Sequence, residues 1–482
     1  MKTLSGYSYY PDSLASSHGV TYFMARSEED NAKFLGVLGE AKGFDGFLEV
    51  GSGALLCPPT PENLTVLRER LPWLKAQALG VQTTAGFGDR LGLATPGHVQ
   101  AVQGTGIAPI FAQQSVRENV RTRRTPQQVM DDATWGVFQT GWRQPWGADA
   151  DHLKTTEDID SFFDAGFTFF TIDPGDHVDN TAQTDSLGTL REKVERLPWD
   201  RLRATPAEIK LTYLDLGFQI EDQIITLDET TLLRALAKYG RAVAHTVKMA
   251  EHLAARAGSQ SFDLEISVDE TETPTSPAEH FFVASELRRL GINPGSLAPR
   301  FVGRFEKGVD YIGDLAEFER EFARHAAIAR HLGGYRLSLH SGSDKFSIYS
   351  IAEAKTNGLL HLKTAGTSYL EALRVVGQVD AGLFRKILQL AIERYEVDRA
   401  SYHVSADLSK VSDPQRLADA ELPELLDQFD ARQVFHVTFG ATLDRFGPSL
   451  CSVLRDHEDT YYNFLASHFK KHLAPIQKQP SA

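Results

Sequence analysis

The feature that most constrains the fold of this chain is a series of eight short apolar runs separated by helical segments. The runs lie at 108–112, just before Ala148, and at 167–172, 262–268, 297–303, 336–340, 359–363 and 434–439. Helical spacing is clearest at 232–253, where Leu236, Val243 and Val247 share one face. Alternating strands and helices favour a parallel sheet wrapped by helices. Eight strands are the number in a TIM-like (β/α)8 barrel, so we predict this α/β fold, with an open doubly wound sheet as the alternative.

The sequence also predicts how the chain is divided. We expect an N-terminal α/β extension at 1–105, a catalytic barrel at 106–475 and a frayed tail at 476–482. Pro, Gly and Thr become dense just before the barrel, which marks the first boundary. Within the extension, a helix is expected near 29–42. The segment 174–231 is too long for an ordinary loop, and such segments are commonly lids or subdomains, so we expect it to cap the barrel mouth.

Composition excludes several classes of protein. With 42% hydrophobic and 24% charged residues, the chain has the composition of a globular enzyme. A net charge of −14 argues against nucleic acid and anionic membranes as partners. Two cysteines are too few for a disulfide framework, and we see neither a signal peptide nor a membrane span. We therefore expect a cytoplasmic protein with a small-molecule substrate, and homo-oligomerisation is left open.

Polar side chains are concentrated where the predicted strands end, which is where such barrels assemble their chemistry. The densest group is LHSGSDKF at 339–346, with an imidazole, two hydroxyls, a carboxylate and an ammonium group. Other strand ends contribute GADADH at 147–152, Glu265 within an apolar strand, and RFVGRFEKG at 300–308. A carboxylate in an apolar strand is costly unless it is paired or bound to a metal. Imidazoles and carboxylates from separate strands suit Zn²⁺, Mn²⁺, Co²⁺ or Ni²⁺.

Each of these residues also has a structural interpretation. His340 could be a core histidine satisfied by a neighbour, and His152 precedes a predicted helix start and could cap it. Glu306 could pair with an adjacent cation such as Arg304. For Lys363 we favour a substrate-anchoring or salt-bridged lysine over a Schiff-base lysine. Only the joint position of these residues at strand ends favours a catalytic site.

Four motifs together resemble the tagaturonate epimerase family, whose relatives include enzymes that act at C4 of D-fructose and D-tagatose. The motifs are GADADHLK at 147–154, IDPGDHVDN at 172–180, RFVGRFEKG at 300–308 and LHSGSDKF at 339–346, and the resemblance covers nearly the whole chain. It implies a barrel-like fold and a divalent metal commonly described as zinc. It also implies interconversion of D-tagaturonate and D-fructuronate in hexuronate catabolism.

The resemblance further implies roles for individual residues. The metal ligands would be His152, Glu306 and His340, with Asp151 as proton acceptor and Glu265 as proton donor. From their location at strand ends, we expect the substrate contacts to be Asp173, His177, Arg304, Ser341, Ser343, Asp344, Lys345 and Lys363. Either Arg304, Lys345 or Lys363 would hold the substrate carboxylate.

The chemistry of this conversion favours a retro-aldol route. The two sugar acids differ at C4, and the C2 carbonyl does not acidify the hydrogen on that carbon. Cleavage and re-formation of the C3–C4 bond, with a metal as Lewis acid, would invert C4. The alternatives are a metal-dependent ketose 3-epimerase, isomerase or aldolase, and a 4-epimerase of the neutral ketohexoses fructose and tagatose. The remaining alternative is a non-catalytic sugar-binding protein.

Overall fold

The computed structural model describes residues 4–46, 48–50 and 53–477, and the part of the expected tail from 478 to 482 lies outside them. The strands are β1 Tyr7–Tyr9, β2 Ala15–Ser17, β3 Val20–Ser27, β4 Lys33–Leu38, β5 Leu48–Val50, β6 Ala54–Cys57, β7 Thr84–Phe87, β8 Ala108–Ser115, β9 Gly147–Leu153, β10 Phe169–Ile172, β11 Gly217–Ile220, β12 Gln223–Thr226, β13 Asp263–Val268, β14 Ser296–Pro299, β15 Arg336–Leu339 and β16 Leu360–Thr364. The α-helices are α1 Pro61–Arg70, α2 Thr95–Val102, α3 Val116–Thr122, α4 Pro126–Thr140, α5 Thr156–Asp164, α6 Leu187–Glu195, α7 Trp199–Leu202, α8 Pro206–Tyr213, α9 Glu229–Ala257, α10 Pro277–Arg289, α11 Leu315–His331, α12 Tyr349–Thr356, α13 Thr367–Val379, α14 Ala381–Asp398, α15 Phe429–Val437, α16 Phe439–Asp456 and α17 Glu458–Leu473.

Eight strands close into a barrel, in the order β10-β13-β14-β15-β16-β7-β8-β9. Every neighbouring pair in this ring is parallel. The carboxyl ends of all eight strands therefore open at one face, where barrels of this kind carry their functional loops. The predicted TIM-like (β/α)8 barrel is confirmed.

Seven barrel strands overlap the predicted apolar runs, and the eighth does not. Residues 434–439 belong to helices α15 and α16, whereas the missing strand is β7, which precedes the predicted boundary at 105. Strand β7 is only four residues long and contains Ala85 and Gly86, so its apolar signal is weak. Helix α15 is buried on all sides from Ala431 to Val437, which hides the helical periodicity that would have identified it.

The residues before the barrel form an antiparallel sheet in the order β1-β3-β4-β6-β5, with β2 paired to β3. The expected helix near 29–42 is wrong, because Lys33–Leu38 is strand β4, paired with β3 and β6. Leu35 and Val37 pack into the main core, while Phe34 and Leu38 pack in a second cluster on the other side. Burial of both faces removed the simple alternation by which a strand is recognised.

The insertion at 174–231 contains α6, α7, α8 and the hairpin of β11 and β12, and it lies on the barrel flank. Glu221 pairs with Arg330 of α11 at 2.7 Å, and the Leu202 carbonyl accepts a hydrogen bond from Arg289 of α10 at 2.7 Å. None of its described residues lines the cavity at the barrel mouth. The residues that line the mouth cavity come from other segments. Among the described helices, none is long and apolar enough to cross a membrane.

Candidate functional site

A buried lysine forms the floor of the barrel mouth. The ammonium group of Lys363, on β16, lies 2.6 Å from an oxygen of Asp151 and 2.9 Å from oxygens of both Asp149 and Glu265. It also donates a hydrogen bond of 2.7 Å to the hydroxyl of Thr171. Burial opposes the charge on Lys363, but the three carboxylates raise its pKa above its ordinary value. The structure therefore places Lys363 as the salt-bridged lysine that the sequence favoured over a Schiff base.

Glu265 and His340 form a pair directly above this floor. Glu265 is fully buried in β13, and His340 follows β15. Nε2 of His340 lies 2.6 Å from Glu265, and its Nδ1 lies 3.2 Å from Asp269. Burial opposes ionisation of Glu265, yet the charges of Lys363 and His340 hold its pKa well below the usual range. Burial also opposes protonation of His340, but Asp269 and Glu265 raise its pKa to about 9.

His152 faces His340 across the mouth. The two ring centroids are 5.1 Å apart, with the planes nearly perpendicular. The backbone of His152 has φ of 55°, a left-handed conformation that is costly for a histidine and is found where the surrounding fold aims a side chain. Its Nδ1 lies 3.0 Å from Asp173, and its Nε2 lies 3.8 Å from Asp151. A carboxylate on one ring nitrogen fixes the orientation of the other, as is common for metal-binding histidines.

These side chains have the donor atoms and the charge that a divalent cation needs. In the described part of the chain, ligand atoms of Asp151, His152 and His340 lie within 4.8 Å of one another, as do those of His152, Asp173 and Glu270. Both sets combine imidazole nitrogen with carboxylate oxygen, which suits zinc and similar ions. Burial opposes protonation of His152, but Asp151 and neighbouring carboxylates raise its pKa to about 10. The surroundings of this imidazole thus favour positive charge.

The charge around this cluster is partly balanced within the chain. Six carboxylates belong to the network, namely Asp149, Asp151, Asp173, Glu265, Asp269 and Glu270. Lys363 and Arg117 pair with them, and the raised pKa values of His152 and His340 add positive charge. A divalent ion on the two imidazoles would take the place of their protons.

A cavity of about 450 Å³ opens beside His340. Its wall consists of residues 299–301 and 303–307 at the end of β14 and after it, His340 and Ser341 after β15, and residues 401–405 near the C-terminal helices, together with Arg117, Asp269 and Glu270. This volume is in the range of sites for small molecules. Because the cavity, the imidazoles and the buried carboxylates adjoin at the carboxyl end of the barrel, we identify this region as the candidate active site.

Glu306 lines this cavity but is occupied by other partners. Its carboxylate accepts hydrogen bonds from Ser405 at 2.6 Å and Gln433 at 2.8 Å, and it pairs with Arg304 at 3.2 Å. It belongs to none of the three-residue groups identified among the described residues as able to hold an ion. The structure thus brings His152 and His340 together and places Glu306 on the wall beside them.

Some of the expected substrate contacts lie at the mouth cavity and others lie elsewhere. Ser341 and Arg304 line the mouth cavity, and Asp173 contacts His152. The ring of His177 is exposed and stacks on His245 at 4.0 Å, at the edge of the insertion. Ser343 donates a hydrogen bond of 3.2 Å to the carbonyl of Ala365.

The remaining two expected contacts, Asp344 and Lys345, point away from the mouth cavity. The carboxylate of Asp344 pairs with His468 at 2.6 Å and Arg432 at 2.9 Å, and it lines a separate cavity. The ammonium of Lys345 donates to the carbonyls of Glu306, Val309 and Ser343. These contacts hold the loop after β14 in place, so the structure gives Lys345 a supporting position.

Several residues of the site were missed from the sequence. Asp269 and Glu270 directly follow β13, so the rule that singled out other strand ends would also have found them. Asp149, within the GADADH motif, received no role from the sequence, although it shares Lys363 with Asp151. Residues 401–405 were not assigned to the site, because they reach the mouth from a segment outside the strand and helix alternation.

Comparisons with known proteins agree with this geometry. The model of the tagaturonate epimerase family, UxaE, matches residues 10–476. A Thermotoga maritima protein named tagaturonate/fructuronate epimerase is 45% identical over 475 residues, which cover 97% of this chain and 96% of that protein. The native crystal structure of fructuronate-tagaturonate epimerase from Cohnella laeviribosi is 41% identical, with a TM-score of 0.92 over 98% of this chain and 96% of that one. A glycerol complex of the same enzyme is 42% identical, with the same TM-score and coverage.

Proposed function

This chain belongs to the tagaturonate epimerase family, and from that premise we propose that it interconverts D-tagaturonate and D-fructuronate with a divalent metal at the barrel mouth. The observation that carries the proposal is the meeting of Asp151 with His152 and His340 at the carboxyl end of the barrel. Buried acids and metal-capable imidazoles beside a cavity of suitable size are the usual composition of an active site.

The substrate defines what the site must do. The two uronates carry the carbonyl at C2 and differ in configuration at C4, so removal of a proton next to the carbonyl would leave C4 unchanged. Loss of the C4 hydroxyl proton with cleavage of the C3–C4 bond gives an aldehyde and an enediolate. Rotation of the aldehyde and re-formation of the bond on its other face inverts C4. The site therefore needs a proton acceptor, a proton donor and stabilisation of negative charge.

His152 and His340 would hold the metal, and a carboxylate would complete the set. A divalent ion held there supplies Lewis-acid stabilisation of negative charge on substrate oxygens. The family resemblance assigns the third position to Glu306, which lines the same cavity as His340. Glu270 is the competing candidate, because its carboxylate is already grouped with His152. The nitrogen and oxygen donors favour zinc, with manganese, cobalt and nickel as the alternatives.

Asp151 would accept the proton of the C4 hydroxyl. Burial opposes its ionisation, but His152 and Lys363 keep its pKa below the usual range, so it is a carboxylate at neutral pH. Glu265 is also ionised, and it can donate a proton only after receiving one. Lys363 contacts both carboxylates, at 2.6 Å and 2.9 Å, and its positive charge keeps both ionised. Over one turnover the proton taken from the C4 hydroxyl returns to the inverted C4 oxygen, so the two carboxylates end as they began.

The metal assignment predicts a binding defect that does not depend on turnover. We expect the purified, chelator-treated protein to bind one Zn²⁺ tightly, and His152→Ala or His340→Ala to bind it about 10²-fold more weakly or not at all. Isothermal titration calorimetry measures this directly. His177→Ala is a matched control, because His177 is an exposed histidine stacked on His245. Comparing Glu306→Gln with Glu270→Gln identifies the third ligand. Unchanged zinc affinity in both histidine variants would refute the assignment.

The reaction itself is tested by following D-tagaturonate with NMR in D₂O, after reconstitution with each of the four metals. We expect D-fructuronate to appear without deuterium on carbon, since the retro-aldol route breaks a carbon–carbon bond and no carbon–hydrogen bond. Deuterium at C3 would indicate a 3-epimerase, and deuterium at C1 would indicate an isomerase. Released fragments would indicate an aldolase. Turnover of D-fructose or D-tagatose in place of the uronates would indicate a ketohexose epimerase. If fructuronate does not form with any metal, the proposed function is wrong.

A further inference from the structure

Four arginine and lysine side chains line the cavity at the barrel mouth, and they differ in whether they form an ion pair. Arg117 pairs with Glu270 at 3.1 Å, and Arg304 pairs with Glu306 at 3.2 Å. Two further cations, Arg300 and Lys307, line the same cavity. Within the residues that the structure describes, the side chains of Arg300 and Lys307 form neither a hydrogen bond nor an ion pair, although both are half-buried. Burial lowers the pKa of Lys307, and Glu118, Glu270 and Asp269 oppose this only from beyond ion-pair distance. Its ammonium group therefore keeps its hydrogen-bond donors for an incoming anion.

We propose that the ammonium group of Lys307 binds the carboxylate of the sugar-acid substrate and thereby selects uronates over neutral ketohexoses. The inference rests on the proposed function, since it concerns the substrate of that same site. Lys307 and His340 line the same cavity, whose volume of about 450 Å³ is in the range of small-molecule sites. The reacting end of the substrate would lie against the imidazoles, and its C6 carboxylate against Lys307.

The loop that carries Lys307 is held firmly on both sides. Before it, the carboxylate of Glu306 accepts hydrogen bonds from Ser405 and Gln433, and its carbonyl accepts one from Lys345. After it, the carbonyl of Gly308 accepts a hydrogen bond of 2.6 Å from Arg432. The backbone at Lys307 is therefore already ordered before a ligand arrives, which lowers the entropy cost of binding.

The other cations near the site are less suited to this role. Lys363 is surrounded by three carboxylates beneath the mouth, and the ammonium of Lys345 is used by three backbone carbonyls. Arg300 directly follows β14, and its backbone pairs with Thr275 ahead of helix α10. Asp269 is the acidic group that acts most strongly on the guanidinium of Arg300 and keeps its pKa from falling further. Lys307 thus combines an ammonium group that forms no ion pair among the described residues with a backbone that is held in place by its neighbours.

The test compares uronate with ketohexose in the zinc-loaded full-length enzyme. We expect Lys307→Met to lower kcat/KM for D-tagaturonate by about 10- to 100-fold, the range for loss of a charge-assisted hydrogen bond. Its kcat/KM for D-tagatose should stay within about twofold of the wild-type value, which also shows that the variant is folded. Lys307→Arg should recover part of the uronate activity. The matched control is Lys410→Met, because Lys410 is an exposed lysine outside the cavity. This variant should leave kcat/KM unchanged for both substrates.

Binding is measured in parallel so that the proposal can be judged apart from turnover. The probes are D-tagaturonate and D-tagatose, titrated calorimetrically into zinc-loaded wild type and Lys307→Met. We expect the variant to lose uronate affinity by a similar factor and to keep its affinity for tagatose. If wild type binds the uronate without converting it, the proposed function fails while the carboxylate site stands. Equal uronate affinity in wild type and Lys307→Met, or a loss confined to Arg300→Gln, would overturn the role of Lys307.

Discussion

Replacing Asp151 with asparagine is expected to lower kcat for D-tagaturonate by about 10²- to 10⁴-fold, the usual loss when a general base is removed. Asparagine keeps the shape of the side chain but cannot accept the C4 hydroxyl proton. The metal should still bind, because His152 and His340 are unchanged. Steady-state kinetics with the zinc-loaded variant measures the loss, and calorimetry with zinc confirms that the metal remains.

Asp149→Asn is the matched control for this experiment. Asp149 lies two residues earlier on β9, is fully buried and pairs with the same lysine at 2.9 Å. Like Asp151→Asn, this replacement removes one carboxylate partner of Lys363, but it does so deeper in the barrel. We expect it to reduce stability with a smaller loss of kcat than Asp151→Asn. Equal losses of kcat in the two variants would show that charge around Lys363, and not proton acceptance by Asp151, accounts for the effect.

Replacing Lys363 with methionine is expected to reduce the free energy of unfolding by about 3–5 kcal/mol, because buried carboxylates lose their cation. The variant leaves Asp149, Asp151 and Glu265 without the ammonium group that contacts all three. The pKa values of Asp151 and Glu265 should rise, since Lys363 lowers both. Turnover should therefore fall together with stability. Denaturant unfolding followed by circular dichroism gives the first quantity, and steady-state kinetics the second.

Lys238→Met provides a matched comparison for a buried lysine. Lys238 is fully buried on α9, and it has a single carboxylate partner, Glu279 at 3.2 Å, on the barrel flank. We expect a smaller loss of stability than for Lys363→Met, with kcat retained in the fraction that is folded. If Lys363→Met unfolds at the same denaturant concentration as wild type, the cluster of three carboxylates does not depend on this lysine for its stability.

The barrel could be predicted because its strands are buried between the interior and the surrounding helices, which makes them continuous apolar runs. That rule identified β8, β9, β10 and β13–β16. It failed for β7, which is short and carries small residues, and for α15, which is buried on every side. In both cases the local pattern depends on tertiary burial, and a single sequence does not show that burial.

The candidate site was predicted in part for a related reason. Strand ends in a parallel barrel converge on one face, so residues 151–152, Glu265 and His340 were expected to meet, and the structure brings them together. Glu306 and Lys307 lie in a long loop after β14, where a side chain's direction depends on what holds the loop. The contacts of that loop come from Lys345, Ser405, Arg432 and Gln433, all distant in the chain.

The sequence by itself thus determined the barrel, the face on which its chemistry lies and the imidazoles and carboxylates gathered there. It did so because continuous apolar runs, and the polar residues that follow them, are local patterns in the sequence. Only the tertiary structure decided which cations are neutralised. Lys363 and Lys345 look equally available as residues after or within a strand, yet one is enclosed by carboxylates and the other by backbone carbonyls. Charge pairing depends on distances across the fold, and those distances leave Lys307 facing the cavity without a partner among the described residues.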